Sequence, residues 1–240
     1  MNYSYQYYLN INLSNIHEIK KLVNNKEHIY RFVPIERLIE TLEKSKLTFI
    51  NPSIWKDPFD NFLFRQSINN NFLSSIYCLC FTLNPHSEAY WKAYSRNGFA
   101  ARFKINFDNF LSFMSQRKET SWLIKMEYLV ESKLIEKLRT MKGLKSSLLN
   151  NYPNDIFLEA FHYKRIPFKY EEEVRFLVKS NKTKGNFKSY KINISDIIEE
   201  IRLDPRMGKY QELALKEYLK KFQIKVTKSQ LFSEKKININ

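Results

Sequence analysis

From His28 to Phe32 the chain reads as a short strand. Directly after it Ile35, Leu38, Ile39 and Leu42 fall at i, i+3, i+4 and i+7, the apolar stripe of an amphipathic helix, with Pro34 at its preorganised first position. Leu47 to Ile50 predicts a second strand, ended by Asn51-Pro52-Ser53. Trp55 to Asp60 predicts a turn, because Pro58 has no N–H to give a central ladder. Ile76 to Thr82 is apolar on both faces, as in a strand covered from both sides. Ser87 predicts the cap of a short helix ending at Tyr94. After Gly98, the residues Phe99, Ala101, Phe103 and Ile105 alternate with more polar neighbours as a half-buried strand. Asp108 predicts the cap of a helix carrying Phe110, Leu111, Phe113 and Met114, and Trp122, Ile124, Met126 and Tyr128 alternate as one further strand.

In the second half, helical spacing runs over Val130 to Asn150 and over Asp155 to Tyr163. Val174, Phe176 and Val178 mark the core face of a strand, and strands follow at Phe187 to Ile194 and Ile198 to Leu203. A helix over Lys209 to Lys220 and a last strand over Phe222 to Val226 complete the pattern. Strands and helices of unequal length without βαβ regularity predict an α+β fold on a mixed, mostly antiparallel sheet with flanking helices. The expected organisation is an extension over 1–27, one domain over 28–227, and a mobile tail from Lys228 to residue 240.

Composition removes several function classes. With 43% hydrophobic and 15% aromatic residues, 240 residues suffice for a buried core. Gly98, Gly143, Gly185 and Gly208 are too widely spaced for a GxGxxG or P-loop motif. Cys78 and Cys80 are too close for a disulfide along a strand and too few for zinc, which reads as core thiols in a reducing cytoplasm. His17, His28, His86 and His162 show no ligand spacing, so no metal is expected, and neither a signal peptide nor a membrane span is indicated. Forty Lys and Arg against 25 Asp and Glu give +15, which makes a polyanion partner plausible beside a merely basic composition. Cations interleave with aromatics at Arg96 to Phe103, Phe161 to Tyr170 and Lys179 to Lys191, a pattern suited to single-stranded nucleic acid or to a solvated face.

Two stretches carry chemistry. If period two reaches back from Val174, then Glu171, Glu173 and Arg175 share one strand face, where like charge pushes one carboxyl up and Arg175 pulls its neighbour down. A solvated acidic strand edge fits the same pattern. Tyr30-Arg31-Phe32 sets a cation between two rings, able to hold a phosphate beside a stacked aromatic, or to be an edge arginine among core rings. Tyr90, Trp91 and Tyr94 fall at helical spacing, and Asp57 and Asp60 suit turn capping.

Taken in order, Tyr30-Arg31, Asn51-Pro52, Asp57-Pro58-Phe59-Asp60, Cys80-Phe81-Thr82, Trp91-Lys92-Ala93-Tyr94, Gly98-Phe99 and Tyr170-Glu171-x-Glu173-x-Arg175 resemble the motifs of the bacterial DUF 2971 family over residues 28 to 207. The chain departs from that pattern at Trp55-Lys56, at Asp60 where Glu is usual, and at Val174 where Trp is usual. The family's order of elements is similar to the ADP-ribosyltransferase fold, a split sheet around NAD. The resemblance implies an NAD-dependent ADP-ribosyltransferase, with Glu173, Glu171 and Arg31 catalytic. It implies Tyr30, Arg31, Phe81, Thr82, Trp91, Tyr94 and Arg175 around NAD, which is consumed as a substrate. It further implies an RNA or DNA acceptor, a phage-defence or toxin-like role, and a neutralising antitoxin or sensor partner. The alternative is a non-catalytic nucleic-acid- or protein-binding module on a degenerate version of the fold.

Overall fold

The structure, a computed structural model, describes residues 8–11, 16–62, 71–143, 158–159, 161–180 and 185–233. Its strands are β1 (Tyr8–Asn10), β2 (His28–Pro34), β3 (Lys46–Ile50), β4 (Ile76–Thr82), β5 (Ala100–Asn106), β6 (Ser121–Lys125), β7 (Glu127–Leu129), β8 (Tyr163–Arg165), β9 (Glu173–Lys179), β10 (Phe187–Lys191), β11 (Ile198–Leu203) and β12 (Lys225–Lys228). The helices are α1 (Ile16–Leu22), α2 (Ile35–Lys44), α3 (Asn71–Ser74), α4 (Glu88–Tyr94), α5 (Phe107–Ser115), α6 (Glu131–Gly143), α7 (Ile194–Ile197) and α8 (Lys209–Leu219).

The fold is α+β. Ten strands form one sheet in the order β1-β6-β9-β4-β2-β5-β11-β12, with β3 and β10 attached beside β4; β11 and β12 run parallel and the other pairs antiparallel. A separate parallel pair joins β7 to β8.

The sheet is split at its centre. β2 pairs with β5 from His28 opposite Asn106 to Pro34 opposite Ala100, and β4 pairs with β9 from Ile76 opposite Lys179 to Thr82 opposite Glu173. Between β2 and β4 the ladder is reduced to one pair, Tyr30 opposite Thr82. One half of the sheet is therefore β2-β5-β11-β12, the other is built on β4, β9 and β6, and main-chain groups face the seam between them.

A large core on one side of the sheet holds the halves together. Val33, Leu79, Phe81, Phe103, Phe107, Phe110, Val174, Phe176 and Ile201 all belong to it. Phe110 and Phe176 meet edge-on at 4.7 Å, and Phe81 touches both, the geometry aromatic quadrupoles favour. The alternation along β9 sends Val174, Phe176 and Val178 into this core. The other face of β9 is buried too, with Leu177 in a second cluster around Trp122, Ile124 and Phe161.

Several boundaries differ from the sequence pattern. Ahead of β2, among the described residues, β1 extends the sheet beside β6, and Ile11, Ile19 and Val23 are buried in the main core. Trp122 to Tyr128 is two strands, because at Met126 the chain leaves β9 and pairs with β8 instead. The helix expected to reach Tyr163 gives way to β8 there; residues 155–157 and 160 of that helix, and 144–150 of the preceding one, lie outside the described residues. Asn106, not Asp108, caps α5, its side chain accepting from Asn109 N at 3.0 Å. The last strand begins at Lys225 rather than Phe222, since a 3-10 turn over Lys220–Phe222 and a left-handed Gln223 (φ 55°) intervene. Lys228, the expected start of the tail, ends β12 and its Nζ donates to the Met207 carbonyl at 2.7 Å; residues 234–240 lie outside the described set. Ser87 does cap α4, accepting from Tyr90 N at 3.3 Å.

Candidate active site

A cleft of about 330 Å³ opens over the seam. β2 supplies Tyr30 and Arg31, β4 supplies Cys78, Cys80 and Thr82, and β9 supplies Glu173 and Arg175. α4 closes one wall with Tyr90 and Tyr94, and the turn after β3 closes the other with Trp55, Lys56, Asp57 and Asp60. Lys164 on β8 and Glu171 complete it.

Arg31 owes its position to the split. Its Nη1 donates to the Cys80 carbonyl of β4 at 3.0 Å, across the seam where the β2–β4 ladder is reduced to one pair. Among the described residues it pairs with no carboxylate, and burial pulls its pKa down. A half-buried guanidinium without a counter-ion is a ready partner for a phosphate oxygen. Lys56, exposed on the same cleft, is likewise without an ion pair among the described residues.

The acidic end is built differently. β9 begins at Glu173, so Glu171 does not share its strand face: it ends a 3-10 turn over Ile166–Glu171, and the left-handed Glu172 (φ 41°) separates the two. Both carboxylates nevertheless reach the cleft. The Glu171 carbonyl accepts from Thr82 Oγ1 at 2.5 Å and Tyr90 Oη at 3.1 Å, which fixes the turn against β4 and α4. The Glu173 N–H, past the last ladder pair with β6, donates to Tyr128 Oη at 2.8 Å.

Glu173 is 4% exposed in mid-sheet, which rules out a solvated strand edge. Its Oε1 accepts from Arg175 Nε at 2.7 Å and its Oε2 from Lys164 Nζ at 2.6 Å. Burial pushes its carboxyl up, but Arg175 and Lys164 outweigh burial and hold it well below the usual carboxylate range. Glu171 also pairs with Lys164. There burial wins over the Lys164 attraction, repulsion from Glu173 adds to it, and the carboxyl is pushed up to about 7. Lys164 keeps its proton because, although burial disfavours the charge, Glu173, Asp60 and Glu171 surround it. Adjacent carboxylates with such divergent affinities for a proton suit one fixed charge and one proton acceptor.

Arg175 is enclosed rather than free. Nη2 reaches Asp60 at 2.8 Å, Nη1 the Phe161 carbonyl at 3.1 Å, and the guanidinium lies 4.7 Å from the Trp55 ring centre. Asp57 accepts from Phe59 N at 2.8 Å, as a turn-capping residue should, and also from Arg165 at 2.9 Å. Asn51 staples the same turn to β4, its Nδ2 donating to the Ile76 carbonyl at 2.9 Å.

Of the residues singled out from sequence, Tyr30, Arg31, Phe81, Thr82, Tyr94, Glu171, Glu173 and Arg175 all touch this cleft. Trp91 does not: it is 1% exposed and packs edge-on against Phe32 at 4.7 Å, because α4 turns its 90/94 face, not position 91, toward the opening. Tyr90 takes that place, with Tyr94 and Tyr170 at 5.8 and 6.0 Å from it. The Phe81 ring faces the core, opposite to Thr82, and the Thr82 hydroxyl is engaged with the Glu171 turn. Sequence reasoning passed over Lys164, Trp55 and Lys56. The signal for Lys164 was Pro167, which disfavours helix just before it and leaves room for the strand β8. The expected basic stretch over Phe161 to Tyr170 is mostly spent internally, since Lys164 and Arg165 pair with cleft carboxylates and leave Lys169 outward.

No family model matches the chain and no curated protein matches it. Among solved structures it is similar to the DarT protein of Thermus sp. 2.9 in complex with ADP-ribosylated ssDNA, at 12% identity over 85% of this chain and 94% of that one, with a TM-score of 0.41. The same protein in complex with NAD+ aligns at 13% identity over 85% and 96%, with a TM-score of 0.38. Overlap this slight assigns no residue role. Among the described residues no cluster of three or more His, Cys, Asp or Glu could hold a metal, and no helix is long and apolar enough to cross a membrane.

Proposed function

We propose that the cleft binds NAD+ as a substrate and that the chain transfers its ADP-ribosyl unit to an acceptor, for which the +15 charge favours nucleic acid. The observation that carries this reading is the convergence of an uncompensated Arg31 and a buried, ionised Glu173 in one tyrosine-walled cleft, from strands on either side of β4. Arg31 meets the pyrophosphate, with Lys56 at the rim. Tyr90, Tyr94 and Tyr30 offer flat walls to the nicotinamide. Cleavage of the nicotinamide–ribose bond develops positive charge at C1′, as in glycoside cleavage. A carboxylate fixed beside the ribose stabilises that charge more in the transition state than before it. Glu171, lining the same cleft, takes the acceptor's proton. An enzyme of this kind would arrest growth when unrestrained, which fits a defence or toxin-like role with a neutralising partner.

The second reading, a non-catalytic nucleic-acid-binding module, is favoured by the pairing of both Glu173 oxygens with cations. One assay separates the two. The full chain is incubated with NAD+ labelled in the adenylate, together with single-stranded DNA, RNA or protein, and both label transfer and free nicotinamide are measured. Transfer to a nucleic acid supports the enzyme; nucleic-acid binding with no nicotinamide release and no NAD+ binding leaves the module. Arg31→Gln is expected to raise the KM for NAD+ about 10-fold or more while kcat changes less, the loss of one charge-assisted contact made equally before and during reaction.

A further inference from the structure

Lys164 is the buried group that the proposed chemistry leaves without a task. It is 9% exposed, sits on the three-residue β8, and contacts both Glu171 and Glu173, with Asp60 at 3.9 Å. A lysine so deep is costly to desolvate, and its carboxylate partners are what keep it charged. Arg175 serves Glu173 and Asp60, and among the described residues it is Lys164 that bridges the two glutamates.

We infer that Lys164 is a positioning residue of the cleft: its ammonium clamps the two glutamates together, fixing Glu173 toward the ribose and keeping Glu171 beside it to receive the acceptor's proton. This rests on the transferase reading. In the step it serves, the C1′–nitrogen bond breaks with its electron pair passing to the nicotinamide, which leaves neutral. An acceptor lone pair forms the new bond to C1′, and the acceptor's proton goes to Glu171. The groups facing Glu171 are Lys164 from β8, Glu173 from β9, Tyr90 and Tyr94 from α4, Tyr128 from β7 and Tyr170 beside it. Lys164 is the cation among them. Removing its charge therefore raises the pH at which Glu171 ionises.

The test uses the full chain with carboxyl-13C-labelled glutamate, titrated by NMR, beside the pH profile of NAD+ turnover. In Lys164→Met the Glu171 midpoint and the rising limb of kcat are both expected to move upward by about one pH unit or more, with kcat lowered about 10-fold or more and KM for NAD+ held within about threefold. Lys164→Arg restores the midpoint. Lys164→Gln keeps an amide N–H donor on a side chain one atom shorter and lacks the charge, so it shifts like the Met variant and serves if that variant fails to fold, as judged by near-ultraviolet circular dichroism. An unchanged Glu171 midpoint in a folded, uncharged variant overturns the clamp. A wild-type chain that neither binds nor consumes NAD+ overturns the transferase reading instead, and the NMR midpoints still decide whether Lys164 governs Glu171.

Discussion

Glu173→Gln is expected to reduce nicotinamide release about 10²–10³-fold or more, the loss seen when one preorganised electrostatic contact to a developing charge is removed. Gln matches Glu in shape, so the cleft keeps its walls, and on the transferase reading Arg31 on the other side of the seam would keep its hold on the pyrophosphate. What would disappear is the negative charge proposed to oppose the positive charge growing at C1′. KM for NAD+ is therefore expected to stay within a few-fold, placing the loss in kcat. The amide has one acceptor oxygen where the carboxylate has two, so either Lys164 or Arg175 loses a partner and the variant melts lower than wild type. Kinetics should accordingly be taken well below that transition. Nicotinamide release within tenfold of wild type in a folded Glu173→Gln chain removes Glu173 from the chemistry.

The sheet was legible in the sequence where apolar positions alternate or run unbroken. The alternations of β5 and β9 and the stripe of α2 follow from periods of 2 and 3.6, the apolar run of β4 from cover on both faces, and these elements form where expected. What periodicity could not carry is the behaviour of the chain where it leaves the ladder. At Glu172 a single left-handed residue ends the alternation, so the face shared by Glu171 and Glu173 on paper does not exist as a strand face. The two side chains meet because Thr82 and Tyr90 hold the intervening turn by its carbonyl, contacts made across more than 80 residues of sequence. Trp91 and Tyr90 show the same limit at helical spacing: both are aromatic and adjacent, and only the direction of α4 decides which one meets the cleft.

Charge was legible in amount but not in placement. A net +15 suggests a basic surface, yet several of the cations nearest the cleft are spent on its own carboxylates. Arg31 and Lys56 remain on the cleft without a carboxylate among the described residues, so its affinity for an anion rests on a few groups rather than on the overall field.

Arg175→Met is expected to cost about 3–5 kcal/mol of folding stability at pH 7, the range found when one partner is removed from a buried ion pair. Arg175 is 1% exposed and hydrogen-bonds three groups at once, Glu173, Asp60 and the Phe161 carbonyl. Met fills much of the volume under Trp55 but gives none of these, and it leaves Glu173 and Asp60 with Lys164 as their shared cation, 3.9 Å from Asp60. The sign of the pH dependence follows from Glu173. In wild type its carboxyl is held below the unfolded value, so its contribution is fully present above about pH 5 and is lost as the pH falls toward the folded value. Without Arg175 that carboxyl rises, and protonating it relieves part of the penalty. Urea unfolding should therefore show the gap between wild type and Arg175→Met narrowing from pH 7 to pH 4. A gap below about 1 kcal/mol at pH 7, the range of an exposed ion pair, or one that widens on acidification, would mean that Arg175 is not what keeps the Glu173 carboxylate charged.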